Sequence, residues 1–141
     1  PPFSFTLDTT LFTNATHTVR AVAYDSIGLS SEADVAVIMD NIFAPANLKA
    51  IKSVNRSLLL REYVNILTWA DNSRNTSVLK YRIYRITLGG RVLVAEVAKA
   101  AANTLCRYLD RKISNTEVNT YSVVGVGDLG REGLAATVTA K

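Results

Sequence analysis

Covalent and metal chemistry need partnered groups, and this chain supplies few. Its 141 residues include one cysteine, Cys106, and one histidine, His17, set in opposite halves of the sequence. A cysteine nucleophile needs a base beside it, and a thiolate zinc site needs two or more cysteines at fixed spacing. Neither requirement is met, and no intrachain disulfide can form. The apolar surroundings of Thr104-Leu105-Cys106 predict a small buried hydrophobe instead. No GxSxG elbow, HExxH motif or phosphate loop occurs. Two carboxylates converging in space as a glycosidase pair would escape a motif search, but apolar positions committed to a core leave little cleft to hold them. Asp40-Asn41 offers oxygens for calcium, which takes six or more; with only scattered acids around, a turn or capping role is expected. The sequence therefore predicts no enzyme, no cofactor and no metal site.

Binding chemistry has somewhat better material. Trp69, the sole tryptophan, is expected in the core, where one indole removes a large area from water. A sugar-stacking platform, its alternative, would normally need a second exposed aromatic. Tyr84 and Tyr24 are the candidates, both out of phase with inward-facing neighbours. Lys80 and Arg82 alternate outward with Tyr84 and offer a basic stripe, for which a solvated face is the default. Tyr84, Arg82 and Tyr24 are thus the candidate ligand contacts. Asn14-Ala15-Thr16, Asn55-Arg56-Ser57 and Asn75-Thr76-Ser77 match the glycosylation sequon, as chance allows in a chain rich in Asn, Ser and Thr. No Arg-Gly-Asp triplet is present.

The elements that must position these residues are strands. Nearly every segment alternates with a two-residue period, and none sustains the 3.6-residue pattern of a helix. Thr16–Tyr24 and Ala33–Asp40 flank an Asp25-Ser26-Ile27-Gly28 turn. Beyond Asn41-Ile42-Phe43-Ala44-Pro45, which reads as a linker, come seven more runs: Asn47–Val54, Tyr63–Ala70, Val78–Thr87, Arg91–Ala98, Thr104–Leu109, Asn119–Gly127 and Gly133–Ala140. Gly89-Gly90 turns the third of these into the fourth. Seven short strands at about ten-residue spacing predict an all-β two-sheet sandwich. Its expected core is Trp69, Leu67, Tyr81, Ile83, Tyr121 and Val123. Ser57–Arg61 reads either as a bulged loop or as one helical turn.

Charge divides the chain where the linker does. Residues 1–42 carry five acids and one base, and the remainder fifteen bases and seven acids, within a net charge of +4. The bases are spread singly, without the runs of nucleic-acid-binding tails, so no nucleic-acid partner is expected. No apolar run approaches the ~20 residues of a membrane-spanning helix. The stretch Ala21-Val22-Ala23-Tyr24-Asp25-Ser26-Ile27-Gly28 is echoed by Gly125-Val126-Gly127-Asp128-Leu129-Gly130 about one domain length later. Far fewer residues precede the first copy than the second, so 1–42 is expected to be an incomplete domain.

The ordered set Pro45…Leu48, Leu67-Thr68-Trp69, Tyr81-Arg82-Ile83-Tyr84-Arg85, Tyr108-Leu109-Asp110 and Tyr121-Ser122-Val123-Val124-Gly125-Val126, with Gly130 and Glu132, resembles a fibronectin type III domain of the bacterial secreted kind. It departs from that pattern in the insertion Arg56–Glu62 and in Gly125, where alanine is usual. Phe3-Ser4-Phe5-Thr6-Leu7-Asp8-Thr9-Thr10 and Asn14–Asp25 are similar to the last strands of a bacterial immunoglobulin-like domain. The resemblance implies a tyrosine corner at Tyr121, its hydroxyl bonded to upstream backbone. It also implies a fibronectin type III/immunoglobulin-like β-sandwich of seven strands at 47–141, a linker at 43–46, and a truncated second β-domain at 1–42. The function implied is a non-catalytic spacer in a larger extracellular or cell-surface bacterial protein; the alternative is a module that recognises carbohydrate or a protein partner. The expected partners are neighbouring domains of the same polypeptide; residues 1–42, whose strands cut from their sheet leave open edges, are expected to be disordered, docked on the neighbour, or completed by another molecule through swapping or strand addition, a homodimer being one such outcome.

Overall fold

A computed structural model of the chain describes residues 3–56 and 61–141. It forms two compact units, Pro1–Asn41 and Ile42–Lys141. Both are built from antiparallel strands, with two short 3-10 turns, Thr9–Leu11 and Asp128–Gly130, as the helical elements among the described residues.

The first unit is a two-stranded sheet of β1 (Ala15–Tyr24) and β2 (Ser30–Met39). Their register runs unbroken from Ala15↔Met39 to Tyr24↔Ser30. The turn between them is built by Asp25, whose Oδ1 accepts from the amides of Ile27 and Leu29 at 3.0 and 2.9 Å. Gly28, at φ +88°, takes the left-handed conformation that completes it.

Among its described residues the second unit places seven strands in two sheets. The three-stranded sheet has the order β3-β4-β7, with β3 at Ala46–Arg56, β4 at Arg61–Ala70 and β7 at Cys106–Ile113. The four-stranded sheet has the order β6-β5-β8-β9, with β5 at Lys80–Thr87, β6 at Gly90–Ala98, β8 at Asn119–Val126 and β9 at Glu132–Ala140. The β3–β4 pairing runs on to Arg56↔Arg61. The expected loop or helical turn at 57–60 lies outside the described residues.

The core follows from strand phase. Leu67 and Trp69 on β4, Tyr81 and Ile83 on β5, and Tyr121 and Val123 on β8 are fully buried in one cluster. Each contributes about 1.5–3 kcal/mol through removal from water. Trp69 and Tyr81 meet edge to face across the layer, ring centroids 5.5 Å apart, a favoured aromatic geometry. Cys106 is buried beside them, and burial pushes its thiol above the ordinary range, so it is a poor nucleophile.

Of the stretch expected as a linker, Asn41 closes the first unit and residues 42–46 belong to the second. Ile42 is part of the core cluster. Its carbonyl accepts from the Leu134 amide at 2.9 Å, and its side chain fills the space left by three glycines. A Cβ on Gly125 would lie 3.0 Å from Ile42 and 3.1 Å from Val78, and one on Gly127 3.0 Å from Ile42. A Cβ on Gly133 would overlap the Ile42 backbone and side chain outright. This accounts for Gly125 where alanine is usual. Phe43 pairs with the Asn75 amide in both directions, its N–H donating to Oδ1 at 2.7 Å and its carbonyl accepting from Nδ2 at 3.1 Å. The carbonyl of Ala44 accepts from Asn72. Side-chain amides thus replace the ladder that Pro45 cannot continue.

Candidate functional site

Three places in the second unit gather polar side chains. The first is inside the sandwich. Asn65 stands in phase with Leu67 and Trp69, and Asp110 in phase with Cys106; the two are neighbours across β4 and β7. Opposite them, Arg85 and Tyr121 are neighbours across β5 and β8. The Tyr121 hydroxyl donates to Asp110 Oδ2 at 2.5 Å and accepts from Asn65 Nδ2 at 2.8 Å, while Arg85 donates to the same carboxylate oxygen. Two residues from each sheet are therefore tied together through the core. The expected bond from the Tyr121 hydroxyl to upstream backbone is replaced by this side-chain pair, because an inward carboxylate needs compensation. Burial, with the neighbouring Asp110 charge, pushes the Tyr121 hydroxyl well above the usual phenol range. With the phenol held neutral and the acid shut in at 5% exposure, the network is cross-bracing and has no route to a substrate.

The second place is the outer face of the four-stranded sheet. Tyr84, Val124 and Val126 form a small buried cluster there. Glu96 bridges Lys80 at 2.6 Å and Arg82 at 2.8 Å. Glu132 bridges Arg82 at 3.0 Å and Arg91 at 2.9 Å, and also accepts from the Tyr84 hydroxyl. The Arg91 guanidinium lies 4.4 Å over the Tyr84 ring, a cation–π distance. Burial works against an ionised Glu132, but its three donors outweigh that and hold its carboxyl below the ordinary range. The face on which Lys80 and Arg82 offer a basic stripe is thus a neutralised ladder. Tyr84 is 9% exposed instead of presenting an open ring, because Glu132 from β9 captures its hydroxyl and Arg91 covers its face.

The third place is a cleft of ≈ 400 Å³ between the loops around 71–75 and 99–105, a hollow that strand phase did not foretell. Its walls carry one carboxylate, Asp71, whose oxygens are taken by Lys99 at 2.5 Å, the Tyr81 hydroxyl at 2.5 Å and Asn75 at 3.3 Å. These donors overcome the burial penalty and keep Asp71 below the usual carboxylate range. Asn72 and Asn75, also in the wall, are spent on Ala44 and Phe43. A glycosidase needs two carboxylates about 5–9.5 Å apart, and this wall holds one, already occupied. The sequon asparagine Asn75 is buried in the same way and cannot carry a glycan without releasing Phe43.

Of the candidate contacts, Arg82 and Tyr84 share the charged ladder, and Tyr24 belongs to the other unit, 74% exposed at the end of β1. Asp110 and Asn65 are not among the candidates drawn from the sequence, yet each is a polar residue in the inward phase of its strand, the signal that points to such cross-bracing. Among the described residues no group of three or more His, Cys, Asp or Glu is placed to hold a metal, and no helix is long and apolar enough to cross a membrane.

No family model matches the sequence, and no curated protein does. Among solved structures, the chain is similar to an Fn3-like protein from Clostridium thermocellum, with a TM-score of 0.50 at 21% identity over 71% of this chain and 92% of that one. The fold is fibronectin type III-like. The fibronectin type III-like arrangement agrees with the three- and four-stranded sheets and the Trp69–Tyr81 core. A second similar structure is the glycoside hydrolase domain of Endo-D from Streptococcus pneumoniae R6, with a TM-score of 0.49 at 15% identity over 78% of this chain and 17% of that one.

Proposed function

We propose that the chain is a non-catalytic spacer module of a larger bacterial protein that is secreted or held at the cell surface, and that its working partners are the neighbouring domains of the same polypeptide. One observation supports this: the residues that end the first unit and begin the second are each held within their own unit. On the first unit, Asn41 donates to and accepts from Thr9, at 2.7 and 2.8 Å, and likewise Asn14, at 2.7 and 2.8 Å. On the second, Ile42, Phe43 and Ala44 are held as described above. Each of these bonds lies within one unit and orders that unit's end. The secreted bacterial setting rests on the resemblance of residues 45–141 noted above. Pairing of Lys80, Arg82, Arg85, Arg91 and Lys99 with acids lowers the field a nucleic acid would need.

The second reading, a recognition module for carbohydrate or a protein, is favoured by the exposed Tyr24, Ile27 and Leu29 around the β1–β2 turn. Two measurements separate them. Amide exchange at Asn41 and Phe43 should be slow, because both amides are bonded to asparagine side chains; exchange as fast as at an open turn would remove the clamp. A glycan array and a pull-down with folded protein should stay blank, and a specific hit lost on Tyr24→Ala would turn the assignment to recognition.

A further inference from the structure

The register of β1 and β2 sorts their residues cleanly by face. On one side lie Thr16, Thr18, Arg20, Val22 and Tyr24 opposite Ile38, Ala36, Asp34, Glu32 and Ser30. Arg20 there pairs with Asp34 and Glu32 at 2.8 and 2.9 Å. The other side, carrying Val19, Ala21, Ala23, Ala33, Val35 and Val37, has no Asp, Glu, Lys or Arg at any of its ten positions, and its one titratable residue, His17, meets Phe12 edge to face. At one end of this face Met39 is buried and Val19 and Val37 are half-buried, but towards the turn Val35 is 57% exposed. A lone two-stranded sheet is marginal in water.

The same unit carries a fitting cover that it does not use. Phe3-Ser4-Phe5-Thr6-Leu7 alternates apolar and polar residues with the period of a strand but has no strand partner. Its rings stand in solvent, Phe3 102% and Phe5 72% exposed. The segment leaves from Asp8, which caps the Thr9–Leu11 turn through Thr10, and Thr9 is pinned to Asn41 at the Met39 end of the sheet.

We propose that a second copy of this chain covers the face, each copy laying Phe3–Leu7 across the apolar side of its partner's β1–β2 sheet in a reciprocal exchange. Donor and acceptor are both exposed on one chain, so the contact is self-complementary and closes as a two-fold dimer. The absence of Asp, Glu, Lys and Arg from the acceptor face removes the like-charge repulsion that two copies would otherwise bring together. The area suffices: four phenylalanine rings at about 150–250 Å² each, with a similar area on the faces they cover, reach the roughly 1,200–2,000 Å² of a stable interface.

Sedimentation of the full chain across a concentration series tests this. The wild type should dimerise, and Phe3→Ser/Phe5→Ser, which changes only the donor, should weaken the dimer by about tenfold or more. Val35→Glu, which changes only the acceptor, should do the same, with the Trp69 emission of the second unit unchanged in both. A mixture of the two variants, one keeping its donor and the other its acceptor, should recover a heterodimer that neither forms alone. A strict monomer, or a dimer indifferent to both changes, overturns the proposal. So does a monomer whose β1–β2 face is closed instead by other strands of a longer polypeptide.

Discussion

The hairpins β1–β2 and β8–β9 have the same plan and opposite fates. Each joins two antiparallel strands through an aspartate-led turn: Gly28 bonds back to Asp25, and Arg131 bonds back to Asp128. Yet no residue of β1 is buried, whereas every residue of β8 except Thr120 is. Pairing and turn chemistry are local and were met in both places. Burial is not local; β8 receives it from β4 and β7 across the core, from β5 beside it, and from the Arg82–Glu132–Arg91 ladder over its outer face. Two strands suffice to make a sheet, but a core needs a second layer.

The comparison can be broken most forcefully at the layer facing β8. Trp69→Ala should cost the second unit about 3–5 kcal/mol, read as a lower urea midpoint by amide exchange on β8 and β9, while the exchange pattern of β1–β2 stays as it was. Equal loss in both hairpins would mean that they are not independently stabilised. Gly133→Ala comes next, because its new methyl meets the Ile42 backbone; the expected loss is about 1–3 kcal/mol or more. Tyr121→Phe deprives Asp110 of a donor and should cost about 1–2 kcal/mol, without the shift in compactness that a cavity produces. Acid gives a milder and graded effect. Glu132 and Asp71 ionise below the ordinary values of 4.5 and 3.8 when folded, so the unfolded chain binds more protons in that window. Stability should then rise with pH up to about those values and level off above them. Thermal midpoints that fell already between pH 7 and 5 would point to other groups. Smallest of all, Val35→Thr on the exposed β2 should stay within about 0.5 kcal/mol in dilute monomer.

Much of this was legible in the residues. Period-two alternation located all nine strands to within a few positions, and the phase of Leu67, Trp69, Tyr81, Ile83, Tyr121 and Val123 placed them inward. What escaped was set by contacts distant in sequence. Tyr84 was read as open because phase alone cannot know that Glu132, forty-eight positions later, takes its hydroxyl. The Tyr121 hydroxyl was assigned to backbone because Asp110 sits on a strand of the other sheet. Residues 43–46 were read as linker because Pro45 ends a ladder, whereas the amides of Asn72 and Asn75 rebuild one from the side. The cleft was missed for the same reason, being made by two loops that only the fold brings together.

The seat of Ile42 decides where a genetic engineer, or recombination, can cut. A fragment starting at Pro45, where the family pattern begins, would leave three glycines facing a void and three amide groups without their mates. The transplantable cassette starts three residues earlier, and any chimera that respects the motif but discards that isoleucine inherits a hole at its own front door.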